Sequence, residues 1–195
     1  MRDYEFENLE IKENPLFAVR QNLTGQALRK LREDLEMDRY SFAALLGISH
    51  RTLETWENAP EKLVTGPAAT LATILWEQPG IVERMRIPER KTALRLTYYY
   101  KDQICTVIDV DNVAESVSVR NYTDKWQYRA FGGIENPTYR QYLDFLESRC
   151  FPRTRDKMKV ILEELGLPFY DPFLIILKTK GRLAEDDFWL LTEED

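Results

Sequence analysis

The stretch from residue 38 to 58, DRYSFAALLGISHRTLETWEN, places the tightest limits on what this chain can fold into. Asp38 and Ser49 are of the residue types that cap helix N-termini, and each precedes a short segment with apolar residues at helical spacing. Gly47 lies between the two segments and can supply the positive φ that a tight turn between helices requires. The stretch therefore predicts two short helices joined by a turn: Arg39–Leu46 and His50–Asn58.

The spacing also predicts which side chains of the two helices face each other. Ala43 is small enough to let the helices cross closely, and Leu53 and Trp56, three positions apart, are expected to face inward. The outer face of the second helix is then left with polar side chains: His50, Arg51, Glu54 and Thr55.

This pattern resembles the helix-turn-helix of the Xre and lambda-repressor-like superfamily. That pattern has a capped helix, a small residue, a Leu-Gly turn and a Ser-capped second helix. The matching positions run without a gap: Phe42, Ala43, Leu46, Gly47, Ile48, Ser49, Thr52, Leu53, Trp56 and Glu57. Where the family usually has Glu-Asn-Gly, this chain has Glu57-Asn58-Ala59, and Asn58 is expected to take the left-handed conformation. Gly66–Leu75, GPAATLATIL, is similar to the fourth helix of antitoxin regulators of the MqsA and HigA kind.

The resemblance implies that the second helix enters the major groove of double-stranded DNA, with its N-terminal part against base edges. Arg51 can then donate two hydrogen bonds to a guanine. Arg39 stands where the family usually has Gln, and its added charge favours a phosphate contact over base reading. The predicted DNA-binding residues are Asp38, Arg39, Ser49, His50, Arg51, Thr52, Glu54 and Thr55.

The charge of the chain bears on this expectation, because DNA affinity depends on cations that neutralise phosphates. The net charge is −6, but residues 23–86 hold 8 Lys/Arg against 9 Asp/Glu, a balance of −1. A DNA-binding domain with so little positive charge is expected to bind DNA as a homodimer.

Other features of the composition narrow the class of protein. Cys105, Cys150 and His50 are the only cysteines and histidine, which leaves no zinc cluster and no disulfide scaffold. No cofactor, metal or catalytic residue is predicted, and the chain is not expected to be an enzyme. It shows no signal peptide and no membrane-spanning run, so a cytoplasmic location is expected.

The organisation along the chain predicts an α+β protein, with an all-α helix-turn-helix domain before a domain of a small antiparallel sheet plus helices. Residues 1–22 read as an N-terminal arm or strand, 23–86 as the DNA-binding domain, 87–93 as a linker and 94–195 as the second domain. Within 23–86, further helices are predicted over Gln26–Glu36 and Ala68–Trp76.

The second domain is predicted to run from strands to helices. Four segments rich in β-branched and aromatic residues predict strands: Leu94–Tyr100, Gln103–Val110, Val113–Arg120 and Trp126–Phe131. Helices are expected to start at Asn136-Pro137, after a Thr154 cap and at Asp171-Pro172. A closing segment, Ala184–Leu191, carries Phe188 and Trp189.

The second half resembles the small proteins encoded beside HipA-type kinases and the N-terminal segment of those kinases. The matching residues are Arg149, Phe151, Pro152, Arg155, Gly166, Leu167, Gly181, Asp186, Phe188 and Trp189. The resemblance implies a toxin–antitoxin or partner-binding context. The segment contains no counterpart of the kinase's catalytic lobe.

Three groups of side chains in this half allow two interpretations each. The basic run, from Arg149 to Lys159, could contact DNA or an acidic partner, and a solvated helix face is favoured. Residues 185–187 could serve acid–base chemistry or bind magnesium, and partnership with a helix dipole is favoured. Trp126, Trp189 and the run of Tyr98 to Tyr100 could line a ligand pocket, and packing is favoured.

Two functions follow from these patterns. The first is a sequence-specific transcriptional regulator of the Xre type, dimeric, whose residues 94–195 dimerise or sense an effector. The second is an antitoxin-like protein whose residues 94–195 bind a toxin or other partner protein and which regulates its own transcription.

Overall fold

The computed structural model describes residues 18–194, which contain eight helices and two antiparallel sheets. The fold is therefore of mixed α and β structure, as expected. The chain divides into two compact units, the first ending at Arg86 and the second beginning at Ile87. Most of the predicted N-terminal arm, residues 1–17, lies outside the described residues.

The first unit packs helices around one apolar core, with a short pair of strands. Its helices are α1 (Gly25–Asp34), α2 (Arg39–Leu45), α3 (His50–Glu57), α4 (Pro67–Glu77) and α5 (Gly80–Met85). The strands β1 (Asn22–Thr24) and β2 (Leu63–Thr65) pair antiparallel, so the expectation of an all-α unit is wrong. The core includes Leu28, Phe42, Leu53, Ala69 and Leu75.

The exit from α3 differs from the expected left-handed cap. Asn58 has φ −81° and ψ −5°, which is right-handed, so that prediction is wrong. The chain instead continues turning, since the Ala59 N–H bonds to the Trp56 carbonyl and the Lys62 N–H to the Ala59 carbonyl. The first of these bonds occupies a carbonyl in the last turn of α3, the second extends the turn beyond the helix, and Asn58 needs no positive φ.

The second unit contains a four-stranded antiparallel sheet in the order β5-β4-β3-β6. The strands are β3 (Leu94–Tyr100), β4 (Gln103–Asp111), β5 (Ser116–Asn121) and β6 (Phe188–Glu194). The helices are α6 (Tyr139–Ser148), α7 (Met158–Glu164) and α8 (Pro172–Thr179), with a 3₁₀ turn at Trp126–Tyr128. The closing segment is thus a strand beside β3, so the expected order of strands followed by helices is wrong at the last element.

Two predicted elements of this unit are also wrong. Trp126–Phe131 is a 3₁₀ turn and loop, because its backbone finds partners outside a ladder: the Ala130 N–H donates to the Thr106 hydroxyl at 3.1 Å. Thr154 does not cap a helix. The helix α7 begins at Met158, after Lys157 in a left-handed conformation with φ 57°. By contrast, Asp171 caps α8 as predicted, accepting from the Leu174 N–H at 2.9 Å.

The buried Arg149 links the end of α6 to β6. Its guanidinium makes a two-pronged contact with Asp186 at 2.7 and 2.9 Å and donates to the Gly181 carbonyl at 2.8 Å. It also lies over the rings of Tyr98 and Phe188. The solvated helix face expected for the basic run is therefore wrong at Arg149. The helix-dipole role expected for residues 185–187 is wrong as well, because the element that follows them is a strand.

This ion pair predicts a pH-dependent stability of the second unit. Hydrogen bonds from Arg149 hold the pKa of Asp186 below its ordinary value. A lowered folded-state pKa contributes stability above the unfolded value of about 3.9, and that stability is lost as the pH falls through the folded pKa. We expect Asp186→Asn to cost about 2 kcal/mol at pH 7 and progressively less below pH 4. Urea unfolding of both proteins across this range measures the difference, and a pH-independent cost would contradict the account.

Candidate nucleic-acid interface

The helices α2 and α3 form a compact pair whose ends are capped by side chains. The Asp38 carboxylate accepts from the Ser41 N–H at 2.8 Å, and the Ser49 hydroxyl accepts from the Thr52 N–H at 3.1 Å. Gly47 has φ +66°, and the Ile48 N–H returns to the Ala43 carbonyl at 3.0 Å. A side chain in this conformation would be strained, which explains why glycine stands at the turn.

The inner faces of the pair are closely packed. Phe42 and Leu53 are fully buried and Ala43 nearly so, while Trp56 is half-buried against the same core. The second helix is thereby packed against the first through its apolar face.

The outer face of α3 carries the predicted reading residues. Arg51, Glu54 and Thr55 are exposed, and His50 and Thr52 are half-buried. Arg51 makes no ion pair with any residue from 18 to 194, so its guanidinium is available to a ligand. The Thr55 hydroxyl donates to the Arg51 carbonyl at 2.8 Å, which leaves its methyl group and an acceptor lone pair for outside contacts.

Tyr40 belongs to this surface but was not among the predicted residues. Its ring stacks on that of His50, with the centroids 4.1 Å apart and the planes at 15°, while 73% of the residue is exposed. The signal in the sequence is weak, because it consists only of aromatic rings in the first turns of two adjacent helices. The contact restricts the His50 ring at the start of α3.

A buried carboxylate, Glu57, lies beneath this surface and was also missed as a functional residue. It is 1% exposed and accepts from Arg32 Nε and Arg39 Nε, both at 2.7 Å, while Arg29 Nη2 donates to its backbone carbonyl at 2.7 Å. The spacing could have revealed it, since Glu57 follows Leu53 by four positions and shares its inward face.

The electrostatics of this cluster keep Glu57 ionised. Burial alone raises the pKa of a carboxyl, but the hydrogen bonds and charges of Arg32 and Arg39 outweigh it, so the pKa of Glu57 lies below its ordinary value. The bond to Glu57 in turn raises the pKa of Arg39.

Arg39 therefore makes a hydrogen-bonded ion pair within the protein that the sequence does not predict. Its Nε is bound to Glu57, while 38% of the side chain stays exposed and its Nη atoms bond to none of residues 18–194. These Nη donors remain available to an anion at the N-terminus of α2.

Two other features, a metal site and a membrane-spanning helix, can be assessed in the described part of the chain. Within residues 18–194, no group of three or more His, Cys, Asp and Glu side chains is placed to hold a metal ion. No helix in the same range is both long and apolar enough to cross a membrane.

Comparison of the chain with protein-family models, with curated proteins and with solved structures finds no match.

Proposed function

We propose that this chain is a sequence-specific DNA-binding transcriptional regulator of the Xre type, which reads the major groove with the outer face of α3. The observation that carries the proposal is Arg51, which is exposed and has no ion-pair partner among residues 18–194, on a helix whose opposite face is fixed by buried Leu53. A rigid helix with free polar groups in its first turns is what major-groove reading requires.

Each part of the surface has a separate task in this proposal. Arg51 binds guanine O6 and N7, and His50, held by Tyr40, contacts a neighbouring base or phosphate. Arg39 uses its Nη donors on a phosphate while its Nε stays on Glu57. Glu54 and Thr55 face the same groove and add discrimination between bases.

The proposed regulator acts as a cytoplasmic homodimer without enzymatic activity. A nearly neutral DNA-binding unit has modest affinity for DNA as a monomer. A two-fold symmetric dimer binds two half-sites at once, which raises the affinity. The expected site is an inverted repeat whose half-sites lie about one helical turn, roughly 34–36 Å, apart.

The roles of the two arginines can be separated by substitution. We expect Arg51→Ala to lose about 1–3 kcal/mol of binding and to relax preference at one position of each half-site. Arg39→Gln keeps a donor for Glu57 but removes the charge. It is therefore expected to weaken binding to all DNA sequences alike and to reduce the slope of log affinity against log salt concentration by about 1.

Fluorescence anisotropy with a set of single-base operator variants at several salt concentrations measures both effects. Arg84→Ala, an exposed substitution on α5, serves as the control. An unchanged sequence preference in Arg51→Ala would contradict the assigned register of α3.

A second candidate function is an antitoxin-like protein whose second unit binds a toxin or other partner. The observation that favours it is the exposure of large apolar side chains on that unit, with Trp126 66% exposed. Capture of one defined protein from the native host, lost in Trp126→Ser but kept in Arg51→Ala, would support it.

A further inference from the structure

A groove in the second unit is not used by the proposed reading of DNA. Its volume is about 390 Å³, and it is lined by the residues that follow α6, by the C-terminal part of α8 and by the loop before β6. Small-molecule sites have volumes of about 300–1,000 Å³ and mostly apolar walls with a few placed polar groups. The apolar wall here includes Phe151, Pro152, Ile175 and Leu183.

Two arginines also line the groove, and neither has an anionic partner in the described part of the chain. Arg155 and Arg182 make no ion pair with any residue from 18 to 194. The third arginine of the groove, Arg149, differs because Asp186 neutralises it. The carboxylate of Glu185 also lines the groove, so the unpaired groups sum to one positive charge in a chain whose net charge is −6.

Aromatic rings restrict both unpaired guanidinium groups. Arg182 lies over Trp189 at 5.2 Å from the ring centroid, and Arg155 lies over Phe151 at 5.9 Å. Stacking on a ring leaves the N–H edge of a guanidinium free, and that edge matches the geometry of carboxylate and phosphate oxygens. Restricting the side chains before binding also lowers the entropic cost of ordering them.

We propose that this groove binds a small organic oxyanion with an apolar body. The carboxylate or phosphate head group contacts Arg155 and Arg182, and the apolar body packs against Ile175 and Leu183. The proposal does not depend on DNA binding, and either could fail alone.

The test is calorimetric titration of the full chain with phenyl phosphate and with phenylacetate, with inorganic phosphate and benzyl alcohol as controls. We expect one-site, saturable binding of at least one of the two aromatic anions, at least tenfold tighter than of either control. Binding of the phosphate ester alone or of the carboxylate alone identifies the head group, and both results support the site.

Substitutions then locate the site. Arg155→Glu and Arg182→Glu are each expected to weaken binding at least tenfold, while Arg140→Glu, an exposed change on α6 outside this groove, is expected to leave it unchanged. Arg182→Gln, which keeps a long polar side chain near Trp189, is a second variant for use if charge reversal unfolds the unit. Equal binding of benzyl alcohol, equal affinity in all variants, or no saturable binding of either anion by the folded chain would overturn the proposal.

Discussion

Replacing Glu57 by alanine is expected to destabilise the first unit by about 3–5 kcal/mol, the typical cost of breaking a buried ion pair from one side. The substitution removes the acceptor of Arg32 Nε and Arg39 Nε and leaves a cavity at a residue that is 1% exposed. Arg32, whose side chain is 13% exposed, is then left as a nearly buried cation without its main partner.

Hydrogen exchange of the amides in α1, α3 and α4 of the full chain measures this loss separately from the second unit. Glu57→Gln keeps the volume but not the charge, and it is expected to show most of the loss. Glu54→Ala, an exposed change on the same helix, is expected to stay within about 0.5 kcal/mol.

The cost of Glu57→Ala should also depend on pH. Because the folded-state pKa of Glu57 is lowered, its stabilising effect is complete at neutral pH and is lost as the pH falls through that pKa. A loss smaller than about 1 kcal/mol at pH 7 would contradict the account, since it would place the carboxylate in water.

Replacing Gly25 by alanine is expected to cost about 3 kcal/mol or more, although alanine is the better helix former by about 1 kcal/mol. A Cβ at this position would lie 2.0 Å from the Trp56 carbonyl oxygen and 2.7 Å from that of Ala59. Both atoms belong to the backbone at the end of α3, so neither can rotate away.

The start of α1 is bonded to the same region. The Gly25 N–H donates to the Lys62 carbonyl and the Gln26 N–H to the Pro60 carbonyl. Gly25→Ala should therefore separate α1 from the end of α3 and reduce exchange protection in both helices.

The matched control is Gly80→Ala, at the first residue of α5. A Cβ there has no atom within 4 Å, so we expect no loss and a gain of up to about 1 kcal/mol. Similar stabilities for the two variants would show that the close approach at Gly25 is wrong.

The parts of the fold that sequence predicts well are those with local causes. Asp38, Ser49 and Gly47 act within a few residues of themselves, so the starts of α2 and α3 and the turn between them follow from the chain alone. The strand β3 is predicted over the same residues that form it, because every position except Arg95 is apolar or β-forming.

The parts that sequence does not predict depend on distant partners. Strands β1 and β2 have three residues each and exist because Leu23 pairs with Val64 across the helices between them. The apolar residues of β6 suit a helix or a strand equally, and pairing with β3 decides between them. A charged side chain such as that of Arg149 is expected to be solvated until its partners are known.

Selection of bound sequences from a pool of random duplex DNA by the full chain shows whether α3 reads DNA. We expect an enriched inverted repeat with half-site centres about one helical turn apart, and loss of preference at one position per half-site in Arg51→Ala. No enrichment by a folded chain, or an enriched site that Arg51→Ala selects unchanged, would contradict the claim that α3 reads DNA.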